Sequence, residues 1–374
     1  MNVYRIKSNR PVFSFGDEMG DVPILGTTLS TWQEEVIANT GDHLCDIEHE
    51  EEIASDTYCA FPDHIVLSKK AWLHIRRKII SEPASSFRVA LASGTFNQRY
   101  VLGSDPSSPT PTDIVYRAGE TDPSLWILPQ EIFQNAARLP VPLLTEPVYH
   151  IDFSPEFVSS LRNPFDLLWA NTALNIARAY PVARLIPKRF RPKPGRLRTH
   201  HRTLRLINKR GKGCEIHPTA VIEGCVLGDN VSVGAHAVLR LAHIGSGTII
   251  EDQASVTQSV IGENNFIANK NHVSYSLTYP EVFLIHGPYQ FAVFGCEASV
   301  FATISCDVRI DKKNIVMPTA DGLVDSGQPL LGVAYGHRCK VAAGSIIAPG
   351  RIVPNDLVIQ PPDHIISRFN DPAS

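Results

Sequence analysis

From Cys214 onward, large aliphatic residues return every five or six positions. Ile216, Ile222, Leu227, Val233 and Leu239 open the series; Ile244, Ile250, Val256, Ile261 and Ile267 continue it. Near the end Tyr335, Val341, Ile347, Val353 and Ile359 keep an unbroken period of six. Small residues such as Ala220, Ala237, Ala254 and Ser345 often follow the aliphatic one by four, and turn-formers come next, as in Leu227-Gly228-Asp229-Asn230 and Ile261-Gly262-Glu263-Asn264. A helix repeats at 3.6 residues and a strand at 2, so neither produces this spacing. A prism with three short flat sides per coil does, because each side turns one large and one small residue inward and stacked coils bury continuous ladders. The pattern predicts a parallel β-helix over residues 214–364, followed by a tail at 365–374.

Residues 1–183 have a different texture, with strand-like and helix-like segments in alternation. Leu29–Ala38 and Leu67–Ile80 read as amphipathic helices, the second with Trp72, Ile75 and Ile79 on one face. Phe87–Ala92 and Tyr100–Leu102 read as short strands. Phe165–Tyr180 reads as a helix, with Pro164 and Asp166 at the end where a fixed φ and a negative charge are favoured. The mixture predicts an α/β domain. Between the two zones, residues 184–213 carry many arginines and lysines together with proline, which predicts an extended basic linker.

Composition narrows the functional classes. A net charge of −3 excludes a chain that is basic throughout, so no nucleic-acid partner is expected. No run approaches the roughly 18 apolar residues of a membrane span, and no secretory signal is visible at Met1–Pro11. The seven cysteines include no CxxC pair, which points to buried thiols in a reduced, cytoplasmic compartment.

Longer motifs carry a resemblance. Cys306–Val316 (CDVRIDKKNIV), Val324-Asp325-Ser326-Gly327, Leu331-Gly332 and Val341–Gly350 resemble the C-terminal half of the bifunctional sugar-1-phosphate nucleotidylyltransferase/acetyltransferases, the GlmU-like proteins, especially their archaeal-type variant. These belong to the hexapeptide-repeat, left-handed β-helix acyltransferases. Pro23–Gly41, Thr57–Ile79 and Asn163–Asn171 are similar to parts of the same family's nucleotidyltransferase domain. The resemblance implies a degenerate nucleotidyltransferase-like domain joined to a left-handed β-helix, a homotrimer, and acetyl-CoA as acyl donor to an amino sugar, sugar phosphate or sugar nucleotide. It places Asp63 at the family's magnesium-binding aspartate. A triphosphate needs a glycine-rich loop with a cation. Here residues 1–13 hold no glycine, and Gly16 and Gly20 flank the acidic Asp17-Glu18-Met19. Nucleotidyl transfer, and magnesium with it, is therefore expected to be lost.

For the acyl transfer, the family's histidine in an H-x-x-Y context is matched by His286 with Tyr289, and a second match starts at His272. The family's spacing favours His286 as base, with Tyr289 positioned to hold substrate. Asp307 stands where the family has asparagine. Lys313 matches a phosphate-contacting lysine, with Arg338 and Lys340 as further candidates for the phosphates of CoA; Val316 and Gln328-Pro329-Leu330 replace other family cations. Those losses leave open an alternative, a catalytically degenerate oligomeric scaffold or ligand-binding protein. Zinc-dependent hydration on a β-helix is a further chemistry. His236 and His272 stand 36 residues apart, two coils of about 18, but no H-x4-H pair supplies the third nitrogen.

Overall fold

The computed structural model describes residues 1–104, 107–134, 136–138, 148–185 and 204–361. Most of the basic linker and the C-terminal tail therefore lie outside the described residues.

The N-terminal part is built on a mixed six-stranded sheet, in the order His43–Ile47, Asn2–Ile6, Thr57–Pro62, Thr110–Ala118, Phe87–Leu91, Ser124–Ile127. Thr110–Ala118 runs antiparallel to both neighbours and the remaining pairs are parallel. Helices α1 (Leu29–Ala38) and α2 (Lys69–Ser81) form where the apolar spacing predicts them. Thr28 and Ser68 start them, each side-chain oxygen accepting an otherwise orphaned backbone N–H of the first turn. Trp72, Ile75 and Ile79 are buried, as their shared face requires. Tyr100–Leu102 differs from expectation: Tyr100 ends the short helix α3 (Thr95–Tyr100), its ring buried against Phe96 and Trp169.

Helix α4 (Pro164–Ala177) is sheathed in protein from end to end. Asn163 Oδ1 accepts from the N–H groups of Phe165 and Asp166, Pro164 takes the first turn, and the Asp166 carboxylate accepts in return from Arg162 and Asn163. Burial outweighs these donors and pushes the Asp166 carboxyl up to about 6. The native chain then keeps a proton between about pH 4 and 6 that the unfolded chain has released. Stability is therefore expected to fall as pH rises through that window, by about 3 kcal/mol from this group, and to be unaffected by it above. Urea unfolding across a pH series should show a flatter profile in Asp166→Asn; an unchanged slope would remove Asp166 as its source.

The second half is a three-sided parallel β-helix. One side stacks eight strands from Lys209–Arg210 to Ile352–Val353, the second stacks eight from Glu215–Ile216 to Val358–Ile359, and the third stacks five from Val221–Glu223 to Pro288–Gln290, every pair parallel. Ile304–Ser305 and Ile346–Ile347 pair in the same way near the top of the third side. The stack begins at Lys209, so its first rung lies within the segment that reads as linker. Pairing registers such as Val226↔His243 and Ser232↔Ile249 give coils of 17 residues, one turn being a residue shorter than the sequence period suggests. Ile250, Val256, Ile261 and Ile267 all point inward and are fully buried.

The two halves share one hydrophobic core. Helix α4 lies on the first side of the prism, where Asn175 Nδ2 donates to the Leu241 and Ser259 carbonyls and Arg178 to those of Gly224 and Ala242. Leu241, Tyr275 and Phe291 turn the corner between third and first sides with positive φ (46°, 48° and 52°), a conformation bulky residues rarely adopt. Packing against the other half offsets that strain: Phe291 meets Trp169 and Tyr149, and Tyr275 stacks on Phe291. Among the described residues no helix is long and apolar enough to cross a membrane.

Candidate functional site

His286 occupies the exposed corner between second and third sides, at φ 52°. Along this edge positive φ recurs at His236, Gln253, Lys270 and His286, marking successive turns of the same corner. At His286 the corner is one residue shorter: Phe266 pairs with Phe283, 17 residues on, whereas His272 pairs with Pro288, 16 on. The shortened turn seats Gly287 against the coil below, its N–H donating to Asn271 Oδ1 at 2.6 Å and its carbonyl accepting from His272 N at 3.2 Å. A Cβ at Gly287 would lie 2.2 Å from the Tyr289 ring, so only glycine fits between the histidine and that tyrosine. His286 thus stands on the corner above Lys270, while His272 opens the third-side strand one coil below, paired with Pro288. Desolvation pushes the His272 imidazole down, which favours its neutral, proton-accepting form.

Tyr289 points the other way. It is fully buried inside the prism, packs edge-to-face on Phe294, and its hydroxyl donates toward the Ile285 and Val300 carbonyls. It is thus a core residue, and the H-x-x-Y spacing does not bring the phenol to the His286 surface. Asp307 is also remote from His286. It lies at the opposite edge of the third side, where its carbonyl accepts from Leu331 N, and burial pushes its carboxyl up. One prism side of five residues separates the corners, about 16 Å at 3.3 Å per residue.

Asp307 opens an excursion that leaves the prism and returns at Leu331, carrying an antiparallel hairpin of Val316–Thr319 and Gly322–Asp325. Lys313 is exposed on this excursion and lines a cavity of about 440 Å³ with Arg309, Lys312, Asn314, Val316 and Asp325. Arg338 is held in a bidentate pair with Asp356 (2.6 and 2.8 Å), and Lys340 stands on the second side between Ser299 and Val358. The sequence-predicted cations are thus divided among different surfaces. The break in the six-residue period before Tyr335 is the sequence signal for the excursion; Arg309 and Lys312 beside Lys313 are the residues that motif reading passed over.

The N-terminal part uses its acidic loop structurally. Asp17 accepts from the Tyr279 hydroxyl at 2.9 Å and meets His337 Nε2 at 3.1 Å, while His337 Nδ1 accepts from Cys296 N at 2.8 Å. Phe15 packs against the rings of both Tyr279 and His337. The segment where a phosphate loop belongs is therefore pinned to the β-helix. Asp63 has both carboxylate oxygens on Ser8, at 3.0 Å to its N–H and 2.7 Å to its hydroxyl. These surroundings do not fit a magnesium–triphosphate, which needs free carboxylate oxygens and backbone or cationic donors.

The zinc reading also meets the 17-residue coil. His236 lies on the corner while His272 lies on the third side above Ser255 and Val238, so 36 residues do not align them. Among the described residues no group of three or more His, Cys, Asp or Glu side chains is arranged to hold a metal ion.

No protein-family model matches the chain, and no curated protein matches it. The fold itself defines a mixed α/β domain docked along one side of a parallel β-helix.

Proposed function

We propose that the chain is a CoA-dependent N-acyltransferase acting on an amino sugar, sugar phosphate or sugar nucleotide, with nucleotidyl transfer lost. The observation that supports this reading is an exposed histidine, His286, on the corner between second and third sides, with a second exposed histidine, His272, opening the third-side strand of the coil below. The substrate's amine nitrogen attacks the thioester carbonyl carbon, and an imidazole takes the proton that the nitrogen sheds. The C–N bond forms, the C–S bond breaks, and the thiol leaves with a proton. His286 is the assigned base and acetyl-CoA the assigned donor.

The reading includes a homotrimer. The first side of the prism is already covered by helix α4, and the third carries the Glu223–Arg240 ion pair and the histidines. The second side presents Ile249, Phe266 and Phe283 in one column, Phe266 stacked on Phe283 at 5.0 Å, with Phe301 beside it at 5.8 Å from Phe283. That apolar side supports contact between copies.

The separation of Asp307 from His286 and the enclosure of Tyr289 favour the second reading, an oligomeric scaffold without turnover. Calorimetry with acetyl-CoA separates the two. Micromolar binding, competed by free CoA, is expected of the transferase; a folded oligomer that binds no CoA would leave the scaffold. Sedimentation should give a trimer, and Phe283→Glu should dissociate it; a monomeric parent chain would remove the shared-side argument.

A further inference from the structure

We propose that the six-stranded sheet of the N-terminal half is a docking face for a second copy of this chain, the two sheets packing face to face about a two-fold axis that runs nearly along their strands. The contact lies apart from the β-helix and goes beyond the acyl-transfer reading.

The helices lie on one face of the sheet. Arg5 reaches from that face to Gln33 of α1 at 3.0 Å, and Tyr116 to the Pro83 carbonyl just past α2 at 2.8 Å. Val3, Phe61 and Phe87 are buried on the same side. Alternation along each strand sends the intervening residues to the other face. There Leu125 is 52% and Ile127 46% exposed, Arg88 is exposed, and Tyr4, Cys45, Ile47 and Val115 are half-buried. Strand pairing joins Cys45, Tyr4, Ala60, Val115, Arg88 and Leu125 into one row across all six strands. Parallel strands are ordinarily covered on both faces, so this open row is an interaction surface.

The row is complementary to itself when reversed, which is what a two-fold contact requires. An axis along the strands sets the outer strand His43–Ile47 of one copy on Ser124–Ile127 of the other. Cys45 and Ile47 then meet Leu125 and Ile127, apolar on apolar. One strand further in, the Arg88 guanidinium of one copy lies on the Tyr4 ring of the other, an attractive pairing of a cation with an aromatic face. Ala60 and Val115 meet at the axis, and their small side chains suit the spacing of about 10 Å between packed sheets. Beside them, Tyr58 donates to Glu50 at 2.6 Å and Arg117 Nε lies 3.3 Å from the same carboxylate. The axis brings Arg117 of each copy over Tyr58 and Glu50 of the other, so the cations face acceptors. A two-fold across the strands would instead lay Arg88 on Arg88, like charge on like. The exposed Glu48, Glu50, Glu51 and Glu52 along the border repel nucleic acid and anionic lipid, which leaves a protein face carrying both signs, such as this one, as the occupant. Six strands of about five residues give a footprint of roughly 900 Å² over both copies, the low end of specific interfaces. The pairing is therefore reversible, and an assembly built on the prism contact sediments by itself in dilute solution and pairs when concentrated.

Sedimentation equilibrium of the full-length Phe283→Glu chain reads this contact with the prism contact removed. A monomer–dimer equilibrium is expected, with a dissociation constant on the order of 10–100 μM. Leu125→Glu/Ile127→Glu in the same background should raise it about tenfold or more; both side chains are exposed, so thermal unfolding should be unchanged. Cross-linking of the chain with Phe283 intact decides independently of that variant. Leu125→Cys, treated with a bis-maleimide about 10 Å long, is expected to give a covalent dimer that is lost in Leu125→Cys/Cys45→Ser. Cys45 is partly exposed, and within one chain the two positions stand five strand spacings apart, about 24 Å, so the bridge forms only between copies. A Phe283→Glu chain that stays monomeric at millimolar concentration overturns the pairing, and so does a covalent dimer that persists without Cys45. Binding of single-stranded RNA or of anionic vesicles that disappears in Leu125→Glu/Ile127→Glu would give the face another occupant and overturn it as well.

Discussion

Replacing His286 by asparagine is expected to slow acyl transfer by two to four orders of magnitude while leaving the affinity for the acyl donor unchanged. The magnitude is that of a general base in a transition state, and the selectivity follows because such a base acts on the attacking amine and not on the groups that hold the donor. Asparagine is the informative replacement, because the corner has φ 52° and asparagine tolerates that conformation, so the backbone is retained while the imidazole is lost. Since the side chain is exposed, thermal unfolding should be unaffected. His272→Asn is the companion measurement. If His272 only buttresses the corner, its loss lowers the rate modestly and leaves the pH–rate profile in place. If the rate and the ascending pH limb both vanish in His272→Asn and survive in His286→Asn, the base is His272, whose imidazole desolvation already biases toward neutrality. Full activity in both variants on every accepted amine would sink the histidine mechanism.

Much of this architecture was legible in the chain because its determinants are local. Helix α1 follows its apolar spacing from Leu29 to Ala38, and helix α4 announces itself through Asn163, Pro164 and Asp166. The β-helix is legible for a related reason: each rung repeats one requirement, a large aliphatic residue facing inward. What was not legible depends on small changes in that repeat. A 17-residue coil instead of 18 moves His236 out of line with His272, and one residue fewer before Gly287 makes His286 the corner residue above Lys270. Neither follows from residue types, because spacing drifts by a single position without disturbing the aliphatic series. Tyr289 was misleading for the converse reason. Its spacing from His286 fits a surface pair, but it holds the strand-centre position at which Leu239, Val256 and Val273 of the lower coils also point into the prism. The role of Asp17 was hidden because its partners, Tyr279 and His337, are 262 and 320 residues away. An acidic loop in the sequence signals only that phosphate is unwelcome; the structure adds that the loop is used to fasten the two halves together.

Tyr335→Ala is expected to destabilise the chain by about 3–5 kcal/mol, while Tyr335→Phe should change stability by no more than about 1 kcal/mol. The interior column changes character near the excursion. In the lower coils the rungs are filled by Ile250, Val256, Ile261 and Ile267; on the coils that flank it they are filled by Tyr289 and Phe294 before and Tyr335 after, all fully buried. The change coincides with the 16-residue coil and with the 41-residue step between Val293 and its partner Ala334. Where the excursion interrupts the regular coil, flat rings fill the space that aliphatic side chains fill elsewhere. Phe294 and Tyr335 stack at 4.9 Å with their planes 3° apart, and Tyr289 meets Phe294 edge-on at 5.3 Å. Alanine at 335 removes the ring from a fully enclosed site whose neighbours are fixed by strand pairing on all three sides, so relaxation into the void is limited and the cost falls at the upper end of large-to-small substitutions. Phenylalanine keeps the ring and discards a buried hydroxyl whose one polar neighbour, Ser305 Oγ, is too poorly placed for a full hydrogen bond, so its removal forfeits little. Chemical denaturation of both variants decides the matter. A loss below about 1 kcal/mol in Tyr335→Ala would mean that the rungs on either side of the excursion are not coupled through this aromatic stack, and the excursion would then divide the β-helix into two separately stable pieces.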